Sequence, residues 1–329
     1  MTLATPVDAA RSIGSSTADI TVIICAHSDD RWDLLVRSVD SMARQTLAPA
    51  RVVLVIDHNE ALAARARAEL GPAVDVIANH RERGACGARN AGLESCTTAF
   101  VAFLDDDAVA SAAWIAEILG AFTPTTAGVG GRAEAAWAPT RPGWFPAEFD
   151  WVVGCSYRGQ TVGAVRNVFA CNMAFRTELL VGAGGFDQAV GRTSDGETID
   201  RGSYGLDDTD ACLRVLARYP GQQITQLDGA VVAHHVHGQR ATFRYFLRRC
   251  AGEGVSKARL RERAGGAALA TERGYVTSVL PRGVMRALAG GPRTWPLGAA
   301  IVVGVVTTVQ AYLRELVILA LQGTRGARS

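Results

Sequence analysis

Short apolar runs alternate with amphipathic ones along the first third of the chain. Residues 20–25 (ITVIIC) are continuous and β-branched, which predicts a buried strand. Over residues 33–43 the apolar positions Leu34, Leu35, Val39 and Met42 recur at helical spacing. Residues 51–56 (RVVLVI) predict a second buried strand ending at Asp57. A helix over 60–70 follows, closed by Gly71-Pro72, then a strand over 74–78. A glycine-rich turn at 84–87 opens a helix carrying Arg89 and Asn90. A fourth strand, 100–104, runs directly into Asp105, Asp106 and Asp107. This alternation predicts an α/β fold, with a mostly parallel central sheet flanked by helices and right-handed crossovers. Ligands of such sheets bind beyond the carboxyl ends of the strands, so Asp57 and the three aspartates are expected at one crevice.

The second half is less regular. Residues 137–151 hold three prolines and three tryptophans and read as a loop with aromatic anchors. A strand is expected over 169–175, a turn over 184–187, and a mobile polar loop over 193–204. Helical periodicity returns over 207–217, and a strand over 230–233 leads into His234, His235 and His237. Residues 297–321 are strongly apolar, interrupted by Arg314 and Glu315. They predict a helix that associates with a membrane, either spanning it or lying in its interface. In the alternative, a packed helix turns Arg314 and Glu315 to a wet face. Trp295, Arg325 and Arg328 are placed like interfacial anchors. The expected organisation is a lead-in over 1–19, a catalytic domain over 20–260 and a helical, partly apolar extension over 261–329.

Composition narrows the partners. Charged residues make up 20% and the net charge is +2, which argues against nucleic acid. Seven cysteines are scattered without a Cys-x-x-Cys, against a zinc or redox motif and in keeping with a reducing, cytoplasmic setting. Residues 1–19 show no basic-then-apolar signal pattern. Arg and Lys are concentrated over 240–273, which suits an anionic membrane surface or a phosphate-bearing acceptor, or else a solvated helix face.

Three adjacent carboxylates repel one another, and a bound cation relieves that cost. Hard oxygen donors suit Mg²⁺ or Mn²⁺ shared with substrate phosphates. The competing reading is an N-cap for a helix over 108–119. Asp207, Asp208 and Asp210 form a second cluster at a helix start, able to supply a general base or a cap. His234 is a candidate metal ligand. The turn before Arg89 suits an anion at a helix N-terminus.

Taken together, ITVIICAHS, VVLVIDHN, RGACGARNAG, VAFLDDDAV, CNMAFRTELLVGAGGFD and GLDDTDACLR, in that order and spacing, resemble family 2 glycosyltransferases of the GT-A fold. The resemblance implies an inverting transferase using a nucleotide-diphosphate sugar, with UDP as the expected nucleotide, and Mn²⁺ or Mg²⁺. By position it implies Asp57 at the nucleotide base, with Ala26 and His27 flanking the nucleotide. Arg89 falls at the nucleotide or phosphate, and Asp105 and Asp106 on the nucleotide sugar. Asp107, Asp105 and His234 fall on the metal. Asp207 and Asp208 match an acidic pair that is Glu-Asp elsewhere, with Asp208 as the base. The stretch HHVHGQRATFRYFLRRCAGEGVSKA resembles a subset from archaea and actinobacteria associated with polyprenyl- or dolichyl-phosphate-linked glycans. That implies a lipid-linked or saccharide acceptor and a place at the cytoplasmic face of a membrane. A sugar-nucleotide pyrophosphorylase is disfavoured by the missing Lys-bearing glycine-rich motif. A degenerate scaffold is disfavoured by the intact acidic clusters. Trp144, Phe145, Trp151 and Asn172 are candidates for the acceptor side.

Overall fold

The structure is a computed structural model that describes residues 17–190, 206–264 and 274–326. The expected loop over 193–204 and most of the lead-in lie outside the described residues. Ala18 and Asp19 already belong to the first strand.

Four parallel strands form the half of the sheet that the sequence pattern predicts. They are β1 (Ala18–Ala26), β2 (Pro49–Ile56), β3 (Asp75–Ala78) and β4 (Phe100–Asp105), in the spatial order β3-β2-β1-β4. Between them run α1 (Trp32–Ala43), α2 (Glu60–Glu69) and α3 (Ala85–Glu94). Strand β1 is buried on both faces, which is why it reads as an unbroken apolar run. Ile20, Val22 and Ile24 pack with Leu35, Met42 and Leu62 on one side. Ile23 packs with Cys86, Ala91 and Leu93 on the other. Cys25 is in register with Asp105, and Ala26 with Ile56 just before Asp57. The residues that follow β1, β2 and β4 therefore share one rim.

Beyond β4 the sheet is mixed. β8 (Asn172–Arg176) pairs antiparallel with β4 and β6 (Thr126–Trp137), and β6 runs parallel to β9 (Gln223–Val236). β5 (Ala108–Ala110) and β7 (Gly163–Val165) both pair antiparallel with β9. The helix expected over 108–119 is corrected to β5 followed by α4 (Trp114–Gly120), because β9 captures the residues after Asp107 as a strand. The strand expected over 230–233 is the middle of β9, and the strand expected over 169–175 begins only at Asn172. Strand β6 (TAGVGGRAEAAW) gives no strand signal, because its residues are small. A side chain at Gly128 would lie 2.7 Å from the Phe175 ring, so smallness is the packing requirement. The aromatic loop expected over 137–151 ends in a 3₁₀ segment, Ala147–Val153, that runs past it.

The remaining helices are α5 (Thr177–Gly182), α6 (Asp207–Arg218), α7 (Phe243–Ala264), α8 (Leu280–Ala289) and α9 (Trp295–Gly326). A third core joins the C-terminal helices to the sheet domain. Phe145, Phe149 and Val236 pack there with Phe246 and Cys250 of α7, Leu280 of α8 and Ile301 of α9. Helices α7 and α9 touch closely at Gly254, where any side chain would strike the Thr308 carbonyl. Glu315 is not on a wet face. It is 6% exposed and accepts a 2.5 Å bond from Arg259 Nε on α7, while Arg314 is exposed. The opposite side of α9 presents Val302, Val306, Val309, Leu313, Val317 and Leu321 to solvent at three- and four-residue spacing.

Candidate active site

Asp57 is buried at the end of β2. Its Oδ1 accepts from Asn79 Nδ2 at 2.6 Å and lies 2.8 Å from His58 Nδ1, and its Oδ2 accepts from the Gly84 amide at 2.9 Å. Gly84, at φ +127°, precedes α3, so Asp57 pins the turn that launches that helix. Gly87 is obligatory in the same turn, since a Cβ there would collide with the Glu82 carbonyl. The Ala26 carbonyl accepts from the Asp57 amide, and the His27 carbonyl from Asn59 Nδ2 at 3.1 Å.

Helix α3 carries Arg89 into the crevice, where it ties the two acidic clusters together. Its Nη1 bonds Asp207 Oδ2, and its Nη2 lies 3.6 Å from Asp105 Oδ1. Burial pulls the guanidinium pKa down, but the charges of Asp207 and Asp105 outweigh it and the group stays cationic.

Asp105 closes β4, and Asp106 and Asp107 follow as buried residues. Strand pairing explains their company. β5 pairs with β9 so that Ala108 stands opposite His234, and Asp107's carbonyl accepts from the His235 amide at 2.8 Å. His234 Nε2 then lies 3.1 Å from Asp107 Oδ1 and 3.9 Å from Asp105 Oδ2. Arg31, in the turn after β1, reaches Asp106 Oδ2 at 3.0 Å and Asp107 Oδ2 at 3.3 Å. Burial raises the Asp106 carboxyl to about 7, over the opposing charge of Arg31. Burial also disfavours charge on Asp107, but His234, Arg240 and Arg31 together hold it below the ordinary carboxylate range. His234 responds in kind. Burial lowers it, and the charge and hydrogen bond of Asp107 raise it well above a free imidazole.

Asp208, at the start of α6, is held by two backbone amides: Thr209 donates to Oδ1 at 2.6 Å and Ala170 to Oδ2 at 3.2 Å. Burial first, and Asp207 second, raise it to about 6 despite those bonds.

The ten residues to which the resemblance assigns a role (Ala26, His27, Asp57, Arg89, Asp105, Asp106, Asp107, Asp207, Asp208 and His234) line one cavity of about 670 Å³, whereas Asp210, His235 and His237 do not. Asp107 and Asp208 thus face a shared space. Of the four acceptor-side candidates, only Trp151 lines it. Asn172 is fully buried and binds Trp114 Nε1 and the carbonyls of Arg132 and Ala230, so it is structural. Phe145 belongs to the third core and Trp144 packs on its edge.

The donors present suit a hard divalent cation. Asp105, Asp107 and His234 supply carboxylate oxygens and one imidazole nitrogen. Asp106 Oδ2 is enclosed and accepts no hydrogen bond, and Arg31 Nη2 stands 3.0 Å from it. Arg31, Arg240, Cys155 and Cys171 were not singled out beforehand. Cys171 Sγ lies with oxygen of Asp105 and nitrogen of His234 inside a 4.8 Å group, and Cys155 Sγ is 3.4 Å from His234 Nδ1. Spacing along the chain carries no signal for these four, because each reaches the site through a non-local pairing.

The family model "Glycosyl transferase family 2" matches residues 21–176. The glucosyl-dolichyl phosphate glucuronosyltransferase of Haloferax volcanii is 30% identical over 244 residues, covering 72% of this chain and 76% of that protein. The succinoglycan biosynthesis protein ExoM of Rhizobium meliloti is 30% identical over 170 residues, 50% of this chain and 53% of that protein. Among solved structures, the mannosyltransferase PcManGT from Pyrobaculum calidifontis, in complex with GDP-Man and Mn²⁺, superposes with a TM-score of 0.57 at 17% identity. That superposition covers 90% of this chain and 88% of that one, and so shows a shared fold.

Proposed function

The chain belongs to glycosyl transferase family 2, and from that premise we propose that it transfers a sugar from a UDP-linked donor, with inversion, to a polyprenyl-phosphate-linked saccharide at the cytoplasmic face of a membrane. The observation that carries this reading is a single cavity. It is lined both by Asp105, Asp106, Asp107, Asp207 and Asp208 and by Val276 and Val309, which are 50% and 48% exposed and belong to the apolar surface of the C-terminal helices. An acceptor sugar on a lipid would reach the acidic residues without its chain leaving an apolar environment. The Haloferax relative, by its name, acts on such a lipid-borne sugar.

In this reading Asp208 takes the proton of the acceptor hydroxyl as that oxygen bonds to the anomeric carbon and the bond to the diphosphate breaks. A carboxylate raised to about 6 is ionised at neutral pH yet more basic than a free aspartate, which suits a general base. Arg89 sets a fixed positive charge beside the donor phosphates, and Asp207 orients it through their ion pair. Asp57 positions the nucleotide by holding the turn before α3. A divalent cation, Mn²⁺ or Mg²⁺, would be held by Asp105, Asp107 and His234 and would supply positive charge against the diphosphate leaving group. The transferase domain assigned to 20–260 takes in Ala18 and Asp19 of β1, and α7, which runs on to Ala264, joins it to the membrane-associating region that follows. Helix α9 lies in the interface rather than across it, because its inner side is committed to Phe149, Phe246 and Arg259.

The test is nucleotide-sugar hydrolysis and lipid-acceptor transfer with Mn²⁺, run over UDP- and GDP-sugars. UDP-sugar turnover that disappears in Asp107→Ala supports the reading. Turnover indifferent to Asp107, or confined to GDP-sugars, overturns the metal or donor assignment respectively.

A further inference from the structure

The outer part of the cavity has a wall that the acidic centre does not use. On α7, Tyr245, Arg249, Glu253 and Lys257 follow one another at four-residue spacing, and all four line the cavity. Arg166, just after β7, faces the same stretch. Lys257 Nζ bonds Glu253 Oε1 at 2.8 Å. Burial disfavours charge on Glu253, yet the charges of Lys257, Arg249 and Arg166 together hold its carboxyl below the ordinary range. Among the described charged residues lining this stretch, three are cationic and one is anionic. Leu280 of α8, Val305 and Val309 of α9, and Val276 line the same cavity. Cationic and aliphatic side chains lining one cavity, two of the latter also exposed at the surface, match a ligand with an anionic head and a hydrocarbon tail.

We propose that Arg249 and Lys257, supported by Arg166, bind the phosphate of a polyprenyl-phosphate acceptor, while Val276, Leu280, Val305 and Val309 receive its first isoprene units. This rests on the transferase reading and adds to it the place where the acceptor's lipid phosphate sits. Held there, the phosphate anchors the acceptor, and the sugar attached to it extends inward towards Asp208. Glu253 sets the geometry by fixing Lys257.

The test titrates the full-length protein in detergent with three probes: farnesyl phosphate, farnesol and inorganic phosphate. Farnesyl phosphate is expected to bind much more tightly than either half of it. Arg249→Gln/Lys257→Gln is expected to weaken it about tenfold or more, the loss of charge-assisted contacts, with Lys257→Arg staying near wild type. Val305→Trp is expected to weaken farnesyl phosphate and leave inorganic phosphate as it was. Stabilisation by UDP-sugar with Mn²⁺, read on every variant, reports that the donor side is folded. Should the double variant fail that control, Lys257→Gln against Lys257→Arg decides. Wild-type binding that is unchanged by Arg249 and Lys257 substitutions overturns the site but not the lipid-acceptor reading. A wild type stabilised by nucleotide sugar but blind to farnesyl phosphate overturns both. Inorganic phosphate binding as tightly as farnesyl phosphate overturns the apolar half of the site.

Discussion

Asp208 and Arg31 show what single residues contribute at the rim of this sheet. Asp208 carries a raised pKa in the folded chain, about 6 against 3.8 for a free aspartate, and the sign of that shift has two consequences. For stability, the folded state holds the proton more tightly than the unfolded state. The group therefore costs nothing at low pH and becomes destabilising as pH rises from about 4 through about 6. For catalysis, the ionised base is the minor form below about 6. Transfer to a lipid acceptor should therefore climb about tenfold per pH unit up to that point and level off above it. Asp208→Asn should lower transfer by roughly 10²–10⁴-fold while nucleotide-sugar stabilisation persists. A pH profile that stays flat below 6, or a variant that keeps its rate, removes Asp208 as the base. Arg31 makes a different prediction. It neutralises Asp106 and Asp107, so Arg31→Met should cost roughly 1–3 kcal/mol of stability without added metal. Mn²⁺ should recover more stability in the variant than in the wild type. Thermal melts with Mn²⁺ and with a chelator check this, and equal Mn²⁺ effects would show that the aspartates need no further cation.

At the scale of elements, legibility followed locality. Strands β1, β2 and β4 were readable because each is buried on both faces and so must be apolar throughout. Their carboxyl ends then fixed where Asp57 and Asp105 had to lie. Strand β6 was not readable, since Phe175 and Asn172 fill the space its side chains would take and leave Gly128 and Gly131 in a strand. The residues after Asp107 looked helical but pair with β9 some 120 positions later, a partner that no local window contains. The same long-range pairing delivers His234 to Asp107, so the histidine could be proposed from composition while its contact could not. Glu315 is a parallel case. Its place in an apolar run gave no hint that Arg259, on another helix, would bury it. Breaking such a pair leaves an enclosed charge, so Glu315→Ala should destabilise the α7–α9 packing by roughly 3–5 kcal/mol. Removing both partners, Arg259→Met with Glu315→Leu, should be milder than the single change. Denaturant unfolding of the four-member cycle measures the difference, and a double variant as unstable as the sum of its parts would mean that the two side chains act independently.

Over the whole molecule, the decisive feature is that residues of the acidic centre and of the apolar exterior line one space. The most apolar 18-residue window of the segment Trp295–Gln322 in α9 has a mean hydropathy of 1.7 and only 22% of it is buried, so much of its surface is aliphatic and open. Val306, Leu313 and Val317 lie on that open side and outside the cavity. Each such side chain gains roughly 1.5–3 kcal/mol when buried, so on the reading proposed above these three contribute to holding the protein at a lipid surface. Val306→Glu with Leu313→Glu should therefore abolish most sedimentation with phospholipid vesicles. It should leave nucleotide-sugar stabilisation intact, because neither residue contributes to the third core. Transfer should then divide by acceptor: a long-chain polyprenyl-phosphate sugar embedded in vesicles should lose most of its turnover, and a short-chain analogue in free solution should keep its own. If both acceptors fall equally, the helix serves folding. If neither falls, the apolar face does not meet the membrane during catalysis, and the outer mouth of the cavity admits its acceptor from water.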